Sequence, residues 1–335
     1  MKNTLSVLII SFLLLTNANS APLKVAGNFT KNVKHVAIEK AYFKSIGANY
    51  NPMDVIGIKA PDALRLIKAG TFDVMSVQIG MASRDEPLFE GIDLVGVSTD
   101  MVKLKAAVES YRTVFDQRLQ KKFNAKVMTL WPFGPQMFYC NAKIKGVNDL
   151  KGLKIRSFTP SMSAMLKYFG ATPVTLGFSE VYPALQKGVV SCGVTSPTSS
   201  NTGKWMEVTT HFMPLSVSGS VQGHFMNLDT WNKMSSSEQA KLEKGFKKLE
   251  NDLWDLANTV NDDAIRCIVG EEPCKQHTKY NLKKVILSDS DTAKVKEAAL
   301  KVVLPTWKKT CNNVDKNCTD TWNKTVGKVA GMTIK

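Results

Sequence analysis

One arginine, Arg156, stands at the end of a short strand-like segment near the middle of the chain. The segment Lys154–Arg156 alternates charged and apolar side chains, as a half-buried strand does, and Gly152 interrupts the chain just before it. A planar guanidinium that is fixed at the end of a strand can bind a carboxylate through two parallel hydrogen bonds. The sequence therefore predicts carboxylate binding at Arg156.

Two further motifs follow this segment at a characteristic spacing. The chain reads N-D-L-K-G-L-K-I-R over Asn148–Arg156, G-A-T-P-V over Gly170–Val174 and G-F-S-E-V-Y-P-A-L-Q-K-G-V-V over Gly177–Val190. The combination closely resembles the extracytoplasmic solute-binding proteins of TRAP transporters (tripartite ATP-independent periplasmic transporters), and weaker similarity extends over nearly the whole mature chain. The resemblance implies an α/β periplasmic binding protein of two lobes, with the ligand cleft between them. It also implies that Arg156 pairs with a ligand carboxylate and that membrane permease subunits receive the ligand.

The chain departs from the family pattern at two places. Many members carry a supporting arginine twenty residues before the first, where this chain has Gln136, which adds no charge. Members often continue G-V-V-D-G-A-x-x-x-P, whereas this chain reads S-C-G-V-T-S-P over Ser191–Pro197. Thr195 and Ser196 are therefore either ligand contacts or hydroxyls that cap the following turn. We expect a pocket for one carboxylate that lacks the second guanidinium.

The ends of predicted strands supply further candidates. Gln78 follows the buried strand Phe72–Val77, and Asn28 follows the opening strand Leu23–Ala26. In a mainly parallel sheet, ligands lie beyond the carboxyl ends of the strands. Gln78, Asn28 and Arg156 are thus candidates for one crevice.

Aromatic residues beside these positions predict the character of the ligand. Strict alternation places Phe138 on the same face as Gln136 and Phe158 on the same face as Arg156. Aromatic walls beside a single guanidinium suit a ligand with one charged end and an apolar or aromatic body. His224 lies in a strand-like run and is either a ligand contact or a buried structural histidine.

Residues 1–20 have the pattern of a cleavable signal peptide. Lys2 precedes an apolar core over Leu5–Leu15, and Ala18–Ser20 supplies the small residues of a cleavage site. We therefore expect export to the periplasm and cleavage after Ser20.

The formal net charge of +15 does not by itself identify a partner. The lysines are spread along the chain and no nucleic-acid motif accompanies them, which favours a diffuse solvated surface over nucleic-acid binding. Steering of small anions toward a cleft stays an open alternative. Phosphate-binding, dinucleotide-binding and zinc-protease motifs are missing from the sequence, so we expect a binding protein without a cofactor or metal rather than an enzyme. We also expect a monomer.

Six cysteines in a chain with an export signal predict disulfide bonds. We expect the pairs Cys140–Cys192, Cys267–Cys274 and Cys311–Cys318. Zinc binding is the rival interpretation, but neither closely spaced pair has the C-x2-C spacing. Two other functions stay open: a periplasmic sensor that signals to a membrane receptor, and a thiol-dependent enzyme that uses Cys192 as its nucleophile.

Helical periodicity predicts the elements that must position these residues. The strongest helix begins at Ser235–Ser237 and continues to about Ile265, and a comparable helix spans both lobes in the family. Other predicted helices cover Val33–Ser45, Asp62–Ala69, Met101–Phe123, Ser161–Phe169 and Ser179–Lys187. The resemblance implies one lobe of residues 22–136 and 228–250, a second lobe of residues 137–227, and C-terminal helices over residues 251–335 that pack across both.

Overall fold

The computed structural model describes residues 21–335. The predicted signal peptide, residues 1–20, lies outside the described residues. Within residues 21–335, none of the helices combines the length and the apolar character that crossing a membrane requires. The described chain forms two β-sheets with helices packed around them, which confirms the predicted two-lobe α/β class.

The strands of both sheets are short and mostly buried. They are β1 (Lys24–Gly27), β2 (Asn49–Pro52), β3 (Val74–Gln78), β4 (Ala125–Pro132), β5 (Met137–Cys140), β6 (Lys154–Ser157), β7 (Thr172–Thr175), β8 (Cys192–Thr195), β9 (His211–Met213), β10 (Val221–Asn227) and β11 (Lys283–Lys284). The first sheet has the order β2-β1-β3-β10-β4, and the second has the order β11-β9-β5-β8-β6-β7.

Both sheets are mixed, which corrects the expectation of a mainly parallel sheet. In the first sheet, β1 is parallel to β2 and β3, whereas β10 is antiparallel to β3 and β4. In the second sheet, β6 is parallel to β7 and β8, whereas β5 is antiparallel to β8 and β9. The antiparallel strands are those that the chain enters when it crosses from one sheet to the other.

The helices follow the same chain order. They are α1 (Val33–Ser45), α2 (Ala63–Lys68), α3 (Ile79–Ala82), α4 (Met101–Phe123), α5 (Pro160–Tyr168), α6 (Phe178–Gln186), α7 (Pro197–Thr202), α8 (Leu228–Asn232), α9 (Ser236–Val269), α10 (Asp289–Ala298), α11 (Leu304–Val314), α12 (Cys318–Trp322) and α13 (Lys328–Ala330). The bounds of α1 and α4 are those predicted from the sequence. Helix α6 begins one residue before the predicted start at Ser179, because its N-cap is Gly177, whose N–H donates to the Glu180 carboxylate at 2.6 Å.

Two segments carry the chain between the sheets, and they pair with each other. Residues 133–136 join β4 to β5, and residues 214–220 join β9 to β10. The N–H of Gln136 donates to the Ser218 carbonyl at 2.8 Å, and the N–H of Gly134 donates to the Gly219 carbonyl at 3.1 Å. Paired crossings of this kind can act as a hinge between two lobes.

Helix α9 is the longest element of the fold. It has 34 residues, so its axis is about 51 Å long at 1.5 Å per residue. Ser235 and Glu238 form a capping box at its start, and Gly270 ends it in the left-handed conformation with φ 78°. The helix packs against β4 of the first sheet and against α7, which follows β8 of the second sheet. It therefore spans both halves of the molecule, as the resemblance implies.

The C-terminal helices also touch both halves. The indole N–H of Trp307 donates to the Pro87 carbonyl at 2.8 Å, beside the first sheet. The Asp291 carboxylate accepts the N–H of Val147 at 2.8 Å, in the segment that leads into the second sheet. The exact lobe boundaries given above stay a prediction.

Three disulfide bonds join the cysteine pairs that the sequence predicts. The pairs are Cys140–Cys192, Cys267–Cys274 and Cys311–Cys318. The first bond links the facing residues of β5 and β8. Because the sulfur of Cys192 is bonded, this residue offers no free thiolate, and the thiol-dependent enzyme loses its nucleophile.

Candidate functional site

A cavity of about 540 Å³ opens between the two sheets. This volume falls within the range of roughly 300–1,000 Å³ that is typical of small-molecule sites. Asn28 and Gln78, at the carboxyl ends of β1 and β3, line it from the first sheet, and Arg156 and Thr195 line it from the second. The apolar part of its wall consists of Phe29, Met53, Ile58, Met81, Phe133 and Phe178.

Arg156 is the most deeply buried charged group of this cavity. It lies on β6, between β7 and β8, and only 2% of it is exposed. Its Nε donates to the Leu176 carbonyl at 3.2 Å, and its Nη1 donates to the Val194 carbonyl at 2.7 Å. The guanidinium carbon lies 4.4 Å from the centre of the Phe158 ring. These contacts fix the plane of the guanidinium.

The charge of Arg156 is not neutralised by the protein. Its hydrogen bonds within residues 21–335 go to backbone carbonyls, and they leave the N–H groups of Nη2 available. Burial lowers the pKa of Arg156 to about 9, against a weaker opposing effect of Glu180, so the guanidinium stays protonated at neutral pH. A buried cation of this kind calls for an anion as its partner.

Three neutral amides line the same cavity as this guanidinium. Gln136 lies in the first crossing segment, and its Nε2 donates to the Gly134 carbonyl at 2.9 Å. Gln78 donates through Nε2 to the Ser220 hydroxyl at 3.3 Å. Gln222, near the start of β10, also lines the cavity. Each side chain retains an unused acceptor, and none adds charge.

A buried carboxylate, Glu39 on α1, lies behind the first-sheet wall of the cavity. It accepts hydrogen bonds from the Asn28 N–H at 2.8 Å, the Tyr50 hydroxyl at 2.6 Å and His224 Nε2 at 3.0 Å. Burial alone opposes its ionisation, but the hydrogen bond and charge of His224, aided by Asn28 and Tyr50, hold its pKa below the usual value. Glu39 is therefore ionised, and its hydrogen bonds hold Asn28 in place from the side away from the cavity.

Charged side chains at the cavity are otherwise exposed. Arg84, Lys59, Asp54 and Glu180 line it, and all four are open to solvent. Water screens such groups, so each contributes less to ligand affinity than Arg156 does.

The structure brings five of the predicted site residues to the cavity: Asn28, Gln78, Gln136, Arg156 and Thr195. The role of each in ligand binding stays a prediction.

Four other candidates lie elsewhere. Phe138 is buried in the hydrophobic core, because β5 begins only at Met137 and strict alternation does not extend back to Gln136. Ser196 is the N-cap of α7, and its hydroxyl accepts the Ser199 N–H at 3.3 Å. The placement predicted for Phe138 is therefore wrong, and Ser196 has the capping role that the sequence left open beside ligand binding.

Phe158 and His224 lie behind the residues that line the cavity. Phe158 packs against the guanidinium of Arg156 and does not line the cavity. His224 is fully buried in β10, between Glu39 and the Thr129 hydroxyl, whose Oγ1 lies 2.7 Å from its Nδ1. This is the structural interpretation of His224 that the sequence left open.

Several cavity residues escaped the sequence prediction. Met53 and Ile58 come from the loop between β2 and α2, and Ser220 and Gln222 come from the second crossing segment and β10. No motif marks them. The one available signal was the return of the chain to the first sheet near residue 220, which brings that segment against Gln78.

Most of the chain matches a known protein family. Residues 56–309 match the family described as bacterial extracellular solute-binding protein, family 7, also called DctP. The chain belongs to this family. The predicted membership among TRAP solute-binding proteins is thereby confirmed, and the family consists of solute-binding proteins rather than enzymes.

Individual relatives agree with the family match. The sialic acid-binding periplasmic protein SiaP of Vibrio cholerae is 28% identical over 191 residues, which cover 56% of this chain and 59% of SiaP. The C4-dicarboxylate-binding periplasmic protein DctP of Rhodobacter capsulatus is 26% identical over 191 residues, 54% of each chain. The chain thus spans just over half the length of the curated relatives it matches.

Solved structures share the fold over most of the chain. DctP7 of Bordetella pertussis, a solute receptor binding pyroglutamic acid, aligns with a TM-score of 0.76 at 16% identity and covers 91% of this chain and 100% of its own. A TRAP periplasmic solute-binding protein of Desulfovibrio salexigens with bound orotic acid aligns with a TM-score of 0.79 at 14% identity, covering 92% and 100%. At these identities the likeness establishes the fold alone.

Proposed function

We propose that this protein is the periplasmic solute receptor of a TRAP transporter and that it binds a small organic monocarboxylate through Arg156. The observation that carries the proposal is the buried guanidinium, whose hydrogen bonds go to backbone carbonyls of Leu176 and Val194. A buried charge without a partner costs several kcal/mol, and a bound carboxylate recovers much of that cost. The family assignment supports the same function.

The rest of the cavity supports a ligand with one charged end. Gln136 stands where many family members carry a second arginine, so the buried wall offers one guanidinium and several neutral amides. Phe133, Phe178 and Met81 provide apolar surface for the body of the ligand. Three of the structural neighbours bind pyroglutamic acid, which has one carboxylate and one ring amide. An acid of that size and polarity fits this pattern.

Lobe closure follows from the position of the site between two sheets. The proposed lobes are residues 22–136 with 228–250, and residues 137–227, with residues 251–335 packed across both. Closure around the ligand removes water from the ion pair, so buried hydrogen bonds decide which acid binds. The closed form then delivers the acid to membrane permease subunits.

A thermal-shift screen of organic acids tests the binding proposal, because a ligand of the folded state raises the apparent stability. Acids that raise the apparent stability are titrated by calorimetry into the parent protein, into Arg156→Ala and into Arg65→Ala. Arg65 is an exposed arginine paired with Asp62, and its loss changes the net charge equally. We expect Arg156→Ala to weaken binding by several kcal/mol and Arg65→Ala to leave it unchanged. Equal affinities for the parent and Arg156→Ala would refute the assignment of the site.

Uptake measurements test the delivery step separately. Cells that lack the protein should lose high-affinity uptake of the acid found in the screen and regain it when the protein is restored. Unchanged uptake, with binding confirmed in solution, would contradict the transport role and favour a sensor of the same acid.

A further inference from the structure

Asn28 has a fixed orientation at the cavity wall. Its Nδ2 donates to Glu39 Oε1 at 3.3 Å and to the Ser76 hydroxyl at 3.4 Å, and only 2% of the residue is exposed. Its Oδ1 accepts a hydrogen bond from Asn32 Nδ2 at 3.0 Å. An amide nitrogen has two N–H groups, so both are used, while the amide oxygen retains one lone pair.

Glu39 prevents the opposite orientation of this amide. An ionised carboxylate accepts hydrogen bonds and donates none. Were the Asn28 side chain turned over, its oxygen would face the buried carboxylate, and two acceptors would be left without a proton between them. Such an unpaired contact is unfavourable, and it is more so because one of the two groups is charged.

Three groups around Glu39 secure its charge. The Tyr50 hydroxyl, the backbone N–H of Asn28 and His224 Nε2 all donate to it. His224 is held in turn by Thr129, whose hydroxyl lies 2.7 Å from its Nδ1. Neither Glu39 nor His224 lines the cavity. They are positioning residues that act on the cavity through Asn28.

We propose that the Glu39 network makes Asn28 an obligate hydrogen-bond acceptor, so that the cavity selects carboxylates that also carry an N–H or O–H donor. Arg156 binds the carboxylate from the second sheet, and Asn28 Oδ1 binds the donor from the first sheet. The inference rests on the proposed function for the carboxylate end. It adds a second requirement, an uncharged N–H or O–H donor on the ligand, which Arg156 cannot impose.

Matched pairs of acids test this requirement on the parent protein. Each pair keeps the carboxylate and the shape but removes the donor: pyroglutamate with 5-oxotetrahydrofuran-2-carboxylate, 4-hydroxybenzoate with 4-fluorobenzoate, and 4-hydroxybutyrate with 4-fluorobutyrate. In every pair that binds, we expect the donor-bearing acid to bind about tenfold or more tightly, because its partner leaves a buried acceptor unpaired. Equal affinities within a pair, or preference for the donor-free acid, overturn the inference.

Failure of the proposed function gives a different result. If no acid of the pairs or of the wider screen binds, carboxylate recognition itself is contradicted, and the inference falls with it. If the screen yields only acids without an N–H or O–H donor, carboxylate recognition stands and the role of Asn28 is overturned.

A substitution then tests whether Glu39 is the cause. In Glu39→Gln the new amide can donate, so Asn28 can turn over and offer its N–H groups to the cavity. We expect the discrimination within each pair to fall below threefold, because the donor-free acid binds more tightly to the variant than to the parent. Glu250→Gln is the matched control, because Glu250 is a buried glutamate that accepts from Arg112 and the Leu130 N–H away from the cavity.

Retained discrimination in folded Glu39→Gln would assign the fixed orientation to Ser76 and Asn32 instead and overturn the role of Glu39. The comparison of acid pairs needs no variant, so it stands even where Glu39→Gln does not fold. His224→Leu provides an independent readout, since it removes the ring donor without supplying another and leaves the Glu39 carboxylate in place. We expect an intermediate discrimination in that variant.

Discussion

The two arginines that are buried within residues 21–335 should respond to the same substitution with different losses of stability. Arg156 donates to backbone carbonyls and has no acidic partner, whereas Arg118 donates through Nε to the Glu86 carboxylate at 2.8 Å. Both side chains are at most 9% exposed. Methionine keeps much of the length of arginine without its charge. Arg156→Met and Arg118→Met therefore compare a cation that we propose binds a ligand with a cation that is paired within the fold.

The magnitudes follow from the contacts of each residue. Burial lowers the pKa of Arg156 from its ordinary value to about 9, which corresponds to a cost of roughly 5 kcal/mol for the charged form. Arg156→Met removes this cost, which stabilises the variant. The substitution also leaves the carbonyls of Leu176 and Val194 without donors, which costs about 1–3 kcal/mol each. Loss of the contact with the Phe158 ring costs about 1 kcal/mol more. We expect the unliganded variant to differ from the parent by less than about 2 kcal/mol.

Arg118→Met should behave like the loss of one partner from a buried ion pair. It leaves Glu86, which is 3% exposed, as an uncompensated charge, and such losses cost about 3–5 kcal/mol. Urea unfolding of the unliganded proteins measures both changes. A loss of 3 kcal/mol or more in Arg156→Met would mean that the fold itself depends on this guanidinium. The interpretation of Arg156 as a site kept for an external anion would then be wrong.

Other perturbations test the buried side chain of His35, the cavity amide of Gln136 and the proposed closure of the lobes. Burial between Trp131 and Phe133 lowers the pKa of His35 to about 4, below its unfolded value of 6.5. The folded state therefore resists a proton that the unfolded chain accepts, and roughly 3 kcal/mol of stability is lost as the pH falls from about 6.5 to 4. His35→Phe should lack this loss in unfolding experiments at several pH values, and parallel curves for variant and parent would contradict it. Gln136→Arg should shift the preference toward dicarboxylates in calorimetric titrations, because a second buried guanidinium needs its own anion; an unchanged ranking of acids counts against the role of Gln136. Small-angle scattering should give a smaller radius of gyration with bound acid, whereas an unchanged radius argues for a rigid pocket.

Local signals explain why the bounds of α4 could be predicted to the residue. Asp100 caps α4 by accepting the Lys103 N–H at 2.8 Å, and Asn124 ends the helix in the left-handed conformation. Ser235 and Gly270 bound α9 in the same way. These residues act on backbone groups within one turn, so the sequence around each of them contains the whole interaction. The motif around Arg156 could be recognised from the sequence by its resemblance to a family, although the hydrogen bonds of Arg156 go to Leu176 and Val194, 20 and 38 residues away.

Interactions between distant segments could not be predicted in this way. Gln136 points into the cavity because its backbone pairs with Val217 and Ser218, and the strand pattern of β5 does not extend to it. Phe138 consequently faces the core instead of the ligand.

Glu39 was missed for a related reason. A glutamate within a helical pattern normally faces solvent. Its burial depends on donors from Asn28, Tyr50 and His224, which come together only when β1, β2 and β10 assemble around α1. His224 was singled out from the sequence, but its partner was not.

A crystal structure of the protein with an acid identified by the screen tests the central claim most directly. The account predicts that the cavity between the two sheets holds the acid, with its carboxylate oxygens within hydrogen-bond distance of the Arg156 guanidinium. A carboxylate bound at Lys59 or Arg84, with Arg156 still bonded only to the Leu176 and Val194 carbonyls, would contradict it.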